Sequence, residues 1–302
     1  MKTLVVRISG GLGNQMFEYA LGLAFSKLTG RELRLDLTDF LIFRGGRTYQ
    51  LDQLRGPQVT KRWGSVHTWV FLAAWIIAKR VSKKVAAGIF KVLNVRVIQT
   101  DQIFHVDQML VNDLLSDTDA TLCVAGCYGI LPYLDHATDS IRNAFELANG
   151  LSGQNKTYFE LFSKNADSIS IHIRRTDYLM ASNGTPVLDM NYYMRAIHEI
   201  KQRVTNPFWV IFSDDMVWCK DAFAFLPNVI YVEGNEEAPW NDIHLIASCR
   251  HHIMANSTFS WWGAFLSRDL SGVTIYPETW FRGQPTTSDM VKPEWIPIPS
   301  FE

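Results

Sequence analysis

The sequence predicts an α/β protein of two domains, each built on a parallel sheet flanked by helices. Three observations carry this: the N-terminus reads strand, glycine loop, helix, strand; the C-terminal half alternates short apolar runs with amphipathic segments; and a stretch rich in Gly, Ser and Asn at 147–155 breaks both periodicities. Residues 3–9 read as a short buried strand, 10–15 interrupt it with three glycines, 16–28 continue as an apolar helix and 31–37 alternate as a second strand. Between 66 and 78 lies an apolar stretch rich in Trp and Ile, followed by Lys79, Arg80, Lys83 and Lys84. It is shorter than the ~20 residues a spanning helix needs and reads as a buried or docking helix, or as one lying on an anionic membrane surface. The linker at 147–155 divides the chain into domains 1–155 and 156–302. Beyond it, strands are expected at 168–173, 208–213, 229–232, 252–255 and 273–276, and helices at 191–204, 216–225, 240–248 and 259–267. Such alternation implies parallel pairing with helices on both faces, a doubly wound sheet whose ligands sit at the carboxyl ends of its strands.

The 302 residues carry 29 Lys and Arg against 30 Asp and Glu, a net charge of −1 that argues against a general nucleic-acid binder. The balance conceals a split. No acid occurs from Gln53 to Thr100, where nine basic residues stand; the other 20 bases face 30 acids, so the rest of the chain carries −10. A run of one sign seeks a surface of the opposite sign. Cys123, Cys127, Cys219 and Cys249 are too few and too scattered for a disulfide framework or a zinc site, which points to a reducing compartment. With no signal peptide or anchor read at the N-terminus, a cytoplasmic protein is expected.

Four constellations carry chemistry. In the loop Gly10-Gly11-Leu12-Gly13-Asn14-Gln15, glycines permit a tight turn and close approach to peptide N–H groups at a helix start. The loop is no dinucleotide fingerprint, since Met16 stands where the third glycine belongs, and no P-loop, since no Gly-Lys-Ser/Thr closes it. His172-Ile173-Arg174-Arg175-Thr176-Asp177 ends a predicted strand, where adjacent arginines call for an anion that a guanidinium grips bidentately, or for a salt bridge to Asp177. Ser213-Asp214-Asp215 ends the next strand: one acid is placed to accept from ribose or base, the other to cap a helix. As a metal pair it is weak, and the Asp117-Thr118-Asp119 spacing reads as a solvated turn. Asn256-Ser257-Thr258-Phe259-Ser260 opens a helix, a natural phosphate site, whereas Trp261 and Trp262 read as core and Gly263 as a point of close packing.

Residues 10–20, 172–178, 212–215 and 256–265, in this order and spacing, together resemble the bacterial α-1,2-fucosyltransferases of glycosyltransferase family 11. The resemblance implies a GT-B architecture of two Rossmann-like domains facing a cleft, GDP-fucose as donor, inversion at the anomeric carbon, and no metal or other cofactor. It also implies transfer to O2 of a terminal β-galactoside, an acceptor glycan that would be lipid-linked in O-antigen or similar surface-polysaccharide synthesis. By the same likeness Arg174 would contact the β-phosphate, with Ser257 and Thr258 on the diphosphate and Asp214 or Asp215 on the guanosine. His172, Arg175, Asn256, Phe259 and Ser260 belong to the same donor motifs. Gly11, Gly13 and Asn14 form the N-terminal loop, with Asn14 facing the reacting centre. Asp177 is the candidate general base, ahead of Glu18 and Asp36.

Two other chemistries compete. An α-1,6-fucosyltransferase would share the arginine pair. A nucleotide-dependent oxidoreductase would read the N-terminal loop with Asp36 on a ribose, which the missing third glycine disfavours. A sugar-binding protein without catalysis would leave the arginine pair purposeless. The basic stretch 53–100 falls in the half assigned to the acceptor, where peripheral contact with an anionic membrane is expected.

Overall fold

The computed structural model describes residues 2–42, 47–56, 73, 91, 94–99, 119–126, 131–180, 186–269, 271–281, 284–286 and 288–301. The expected helix at 66–78, nearly all of the basic stretch, Cys127 and the first two residues of the Asp117-Thr118-Asp119 turn lie outside the described residues. The chain divides into two units, Met1–Ala148 and Asn149–Glu302. Residues 149–155, placed with the first domain from the sequence, belong to the second, because the helix Gly153–Lys164 begins among them and packs against the helix Pro239–Ser248.

In the first unit, β1 (Thr3–Arg7), β2 (Glu32–Asp36), β3 (Val95–Gln99) and β4 (Thr121–Ala125) form a parallel sheet in the order β2-β1-β4-β3. Leu4, Val5 and Val6 of β1 and Leu122, Cys123 and Val124 of β4 are all buried, as central strands covered on both faces must be. The helix α1 (Leu12–Thr29) starts a turn earlier than the apolar pattern alone predicts. Gly10, at φ +70°, and the extended Gly11 at the N-cap let the chain turn directly from β1 into it. Its buried Met16, Phe17, Ala20, Leu21 and Ala24 recur at helical spacing, and Gly30, at φ +67°, ends it in a left-handed cap.

In the second unit, β5 (Ser168–Ile173), β6 (Phe208–Ser213), β7 (Val229–Tyr231), β8 (His251–Ile253), β9 (Thr274–Pro277) and, after the small antiparallel pair β10 (Thr279–Phe281) and β11 (Gln284–Pro285), β12 (Ile296–Ile298) complete the fold. Six of them make a parallel sheet in the order β12-β9-β8-β5-β6-β7. Alternation along β6 sends Trp209 and Ile211 to one face and Val210 and Phe212 to the other. The first face packs under the helix Met190–Lys201 through Tyr192, Tyr193 and Ile197; the second takes Phe162, Leu245 and Ile246. Trp261 and Trp262 are fully buried, as expected, and Trp261 stacks on Phe265 at 4.8 Å. A Cβ on Gly263 would collide with Ile246, so glycine here permits the close crossing of two helices. Among the described residues no helix is long and apolar enough to cross a membrane.

Candidate active site

The chain runs outward from β5 to β6 and β7 and then returns to the other side of β5 with β8, so the strand order reverses between β5 and β8. At such a switch point the loops leaving two neighbouring strands part and open a crevice at the carboxyl edge. The loop leaving β5 is Arg174-Arg175, and the loop leaving β8 is Met254-Ala255-Asn256-Ser257.

His172 is the last buried polar residue of β5, with its ring stacked on Phe259 at 5.3 Å. Burial, with help from Arg174 and against Asp214, pushes its pKa down to about 3, so the imidazole is neutral. Arg174 follows, 30% exposed at its side chain, and is held from two sides. Its Nε and Nη2 donate to the two oxygens of Asp177 at 2.8 and 2.7 Å, and its Nε lies 3.3 Å from Asp214. Burial opposes its charge, but these two carboxylates more than restore it and raise its pKa. Arg175 turns the other way: its guanidinium lies 3.9 Å over the ring of Trp218 and donates to Asp215 at 3.1 Å. That planar stack and ion pair hold it beside the helix Met216–Ala222.

Asp214 and Asp215, one given from the sequence to guanosine and the other to a helix cap, both make contacts inside the domain. Asp214 accepts from the Arg175 and Thr176 backbone N–H groups at 2.9 and 3.1 Å and from the Thr176 hydroxyl at 2.6 Å. It therefore caps the turn that carries Arg174. Asp215 caps the next helix through Trp218 N at 3.2 Å, while pairing with Arg175. Asp177, the candidate base, has both oxygens on Arg174.

At the end of β8, Ser257 is the N-cap of the helix Thr258–Leu266 and accepts from Phe259 N at 3.3 Å. Thr258 and Phe259 are half-buried at its first turn, where peptide N–H groups and the helix dipole favour an anion. Asn256 and Ser260, read from the sequence as donor contacts, are turned inward. Asn256 donates to Pro186 O and Trp280 O at 2.9 and 3.1 Å, and the buried Ser260 hydroxyl to Ala255 O and Ser257 O at 3.2 and 3.1 Å.

Gly11, Gly13 and Asn14 belong to the first unit. Asn14 is half-buried and its amide packs on Gly10, while a Cβ on Gly11 would collide with the Arg47 guanidinium. Gln15, fully buried, donates to Gly10 O and Thr48 O and accepts from Gln50 N, tying the loop to the segment that follows β2. Glu18 accepts from Ser9 N and its hydroxyl at 2.6 and 2.7 Å; Asp36 is buried and accepts from Thr38. Sequence reasoning missed Trp218, Arg47 and the hydrogen bond from the Tyr178 hydroxyl to Asn256 O, because each meets a partner far away in sequence. Among the described residues no group of three His, Cys, Asp or Glu is placed to hold a metal ion.

The profile described as Glycosyl transferase family 11 matches residues 90–299. The chain is 30% identical over 301 residues to the O-antigen biosynthesis glycosyltransferase WbnK of Escherichia coli, covering 96% of this chain and 98% of that protein. It is 29% identical over 308 residues to an alpha-1,2-colitosyltransferase of Escherichia coli, covering 99% of each. It is 24% identical over 319 residues to galactoside alpha-(1,2)-fucosyltransferase 1 of Ateles belzebuth, covering 98% of this chain and 75% of that one. Among solved structures, NodZ alpha-1,6-fucosyltransferase soaked with GDP-fucose superimposes with a TM-score of 0.53 at 15% identity, over 89% of this chain and 96% of that chain, a likeness of fold. Parallel sheets flanked by helices in two units, and a family match that spans most of the sequence, lead to one conclusion: the chain is a GT-B glycosyltransferase and belongs to glycosyltransferase family 11.

Proposed function

We propose that the protein transfers L-fucose from GDP-β-L-fucose to O2 of a terminal β-galactoside, with inversion and without a metal ion, in the synthesis of a bacterial surface glycan. The unit Asn149–Glu302 takes the donor and the unit Met1–Ala148 the acceptor. The observation that carries this reading is Arg174, held by Asp177 and Asp214 at the switch point beside the N-terminus of the helix Thr258–Leu266. When the fucosyl C1–O bond breaks, its electron pair passes to the β-phosphate, and a guanidinium already aimed there stabilises charge as it develops. The galactose O2 attacks C1 from the opposite face and loses its proton to water, while GDP departs with the bonding pair. Asp177 and Glu18 are bound to Arg174 and Ser9, and Asp36 is buried; this favours an open transition state with late proton loss. Asp177 then acts by orienting Arg174.

The relatives named for O-antigen biosynthesis and for alpha-1,2 fucosyl transfer support the acceptor linkage and the glycan. Because one relative is named as a colitosyltransferase, the competing sugar is colitose, which lacks the 3-hydroxyl of fucose. The basic stretch 53–100 supports a cytoplasmic enzyme resting on an anionic membrane where lipid-linked glycans are built, each base near the surface adding ~1 kcal/mol. The test is incubation with GDP-fucose and lactose in EDTA, with GDP-colitose in parallel. GDP release and fucose on galactose O2 are expected. Product on another hydroxyl, product only after Mn²⁺ addition, or a higher kcat/KM for the colitose donor would each overturn the corresponding part.

A further inference from the structure

We propose that Tyr178 is a positioning residue that sets the spacing between the two halves of the diphosphate site. The proposal rests on the donor reading given above. One half of that site is Arg174, after β5; the other is the N-terminus of the helix Thr258–Leu266, after β8. The ladder joins these strands only as far as Ile171 and Ile253, so the loops beyond need a tie of their own. Tyr178 supplies it. From the short helix Thr176–Leu179 its hydroxyl donates to Asn256 O at 3.0 Å, directly before the Ser257 N-cap. Its ring lies 6.0 Å from the Arg174 guanidinium carbon.

The accepting carbonyl does not drift, because Asn256 is fully buried and its amide is anchored to Pro186 O and Trp280 O. One side chain thus reaches from beside the arginine to the residue directly before the N-cap. Burial raises its pKa to about 12, so it remains a neutral O–H donor at any working pH. Catalytic groups tolerate misplacement of only ~0.5 Å, and charge gathers on the β-phosphate chiefly in the transition state. A loosened tie therefore acts more on turnover than on donor binding.

The test is Tyr178→Phe in the full chain, with Arg174→Lys and the double variant, followed by steady-state kinetics, GDP calorimetry and thermal unfolding. Expected are a kcat lower by about tenfold, a donor KM and GDP Kd changed by less than about threefold, and a double variant scarcely slower than Arg174→Lys alone. Unchanged kcat, or losses that multiply in the double variant, would overturn the positioning role, leaving the hydroxyl a purely structural contact. A folded wild-type chain that binds no GDP would overturn the donor reading and this proposal together, whereas normal wild-type binding with an unimpaired Tyr178→Phe removes the proposal alone.

Discussion

Asp214→Asn separates two roles for one acid. A carboxylate that reads guanosine loses base selectivity when neutralised; one that aims Arg174 loses turnover and keeps selectivity. Its contacts favour the second role. Oδ2 receives Thr176 N, the Thr176 hydroxyl and Arg174 Nε, whereas Oδ1 receives only Arg175 N. An asparagine keeps its single oxygen on the busier side and turns an NH₂ against the Arg175 N–H, so one hydrogen bond is lost and two donors collide. Leaving that half-buried donor unmet costs about 1 kcal/mol of stability, or a few degrees in Tm. Arg174 keeps its bidentate grip on Asp177 but loses the charge of Asp214, at 3.3 Å from its Nε and only 16% exposed. Removing a donor outright typically costs ~10² to 10³ in rate; half-releasing one is expected to lower kcat by roughly 5- to 30-fold. The assay is donor turnover alongside competition by GDP and ADP. The GDP-over-ADP preference is expected to stay within about twofold of wild type. A collapse of that preference with kcat unchanged would refute the assignment and return Asp214 to the base.

Arg174→Ala is expected to fold normally and to lower kcat by at least ~10²; turnover within a few-fold of wild type would remove its role at the β-phosphate. Acid stability provides an independent measure of the buried groups. His172 and His252 are both held near pKa 3 by burial, so below ~6.5 the unfolded chain binds two protons that the native state refuses. Asp242, pushed up to about 7 by burial despite the Asn235 hydrogen bond, opposes them: its native form is protonated below 7 and its unfolded form is not until ~3.9. These three groups leave a balance of one proton and His251, also lowered by burial, adds to it in the same sense, so stability should fall as pH drops from ~6 to ~4 by at least about 1.4 kcal/mol per unit, read as urea midpoints; a flat profile would refute it. Asp242→Asn should stabilise the chain at pH 8 by about 1–3 kcal/mol and roughly double the acid slope; a variant no more stable than wild type at pH 8 would show that the acid is not penalised by burial.

The strands of the second unit were legible because their central residues are buried on both faces: 168–173 and 208–213 coincide with β5 and β6, and the others differ by a residue or two. The last strand was not. Ile296–Ile298 carries Pro297, which argues against a strand, but β12 is the edge of the sheet, where a missing N–H is tolerated. The linker was misread at Gly153, where a left-handed residue at φ +51° opens a helix rather than a coil. In the site, position was legible and direction was not. Arg174, Asp214 and Ser257 were all expected at strand ends, and they are there. Which way a side chain turns depends on a neighbour contributed by another strand: Asp214 meets backbone N–H groups some 39 residues earlier, and Trp218 lies under Arg175 across 43 positions. No local pattern encodes those pairings, so the sequence left open which acid caps a helix and which faces guanosine.

On the proposed donor reading, the charge balance of the site bears on what the arginines do. Arg174 and Arg175 face Asp177, Asp214 and Asp215, so before donor arrives the cluster carries −1. A cluster of that sign does not draw a diphosphate from a distance. Attraction has to come at short range, from the aimed guanidinium and the peptide N–H groups of the helix Thr258–Leu266, while the carboxylates sacrifice long-range pull to fix the aim. The site is therefore organised for direction rather than field strength. Short-range contacts between partly buried groups are poorly screened, whereas steering collapses once the Debye length falls from ~14 Å to ~4 Å. Donor KM is accordingly expected to change by less than about threefold between 50 and 500 mM NaCl. A tenfold rise would mean that an extended positive field guides the donor, and would move the source of binding energy away from the five residues counted here.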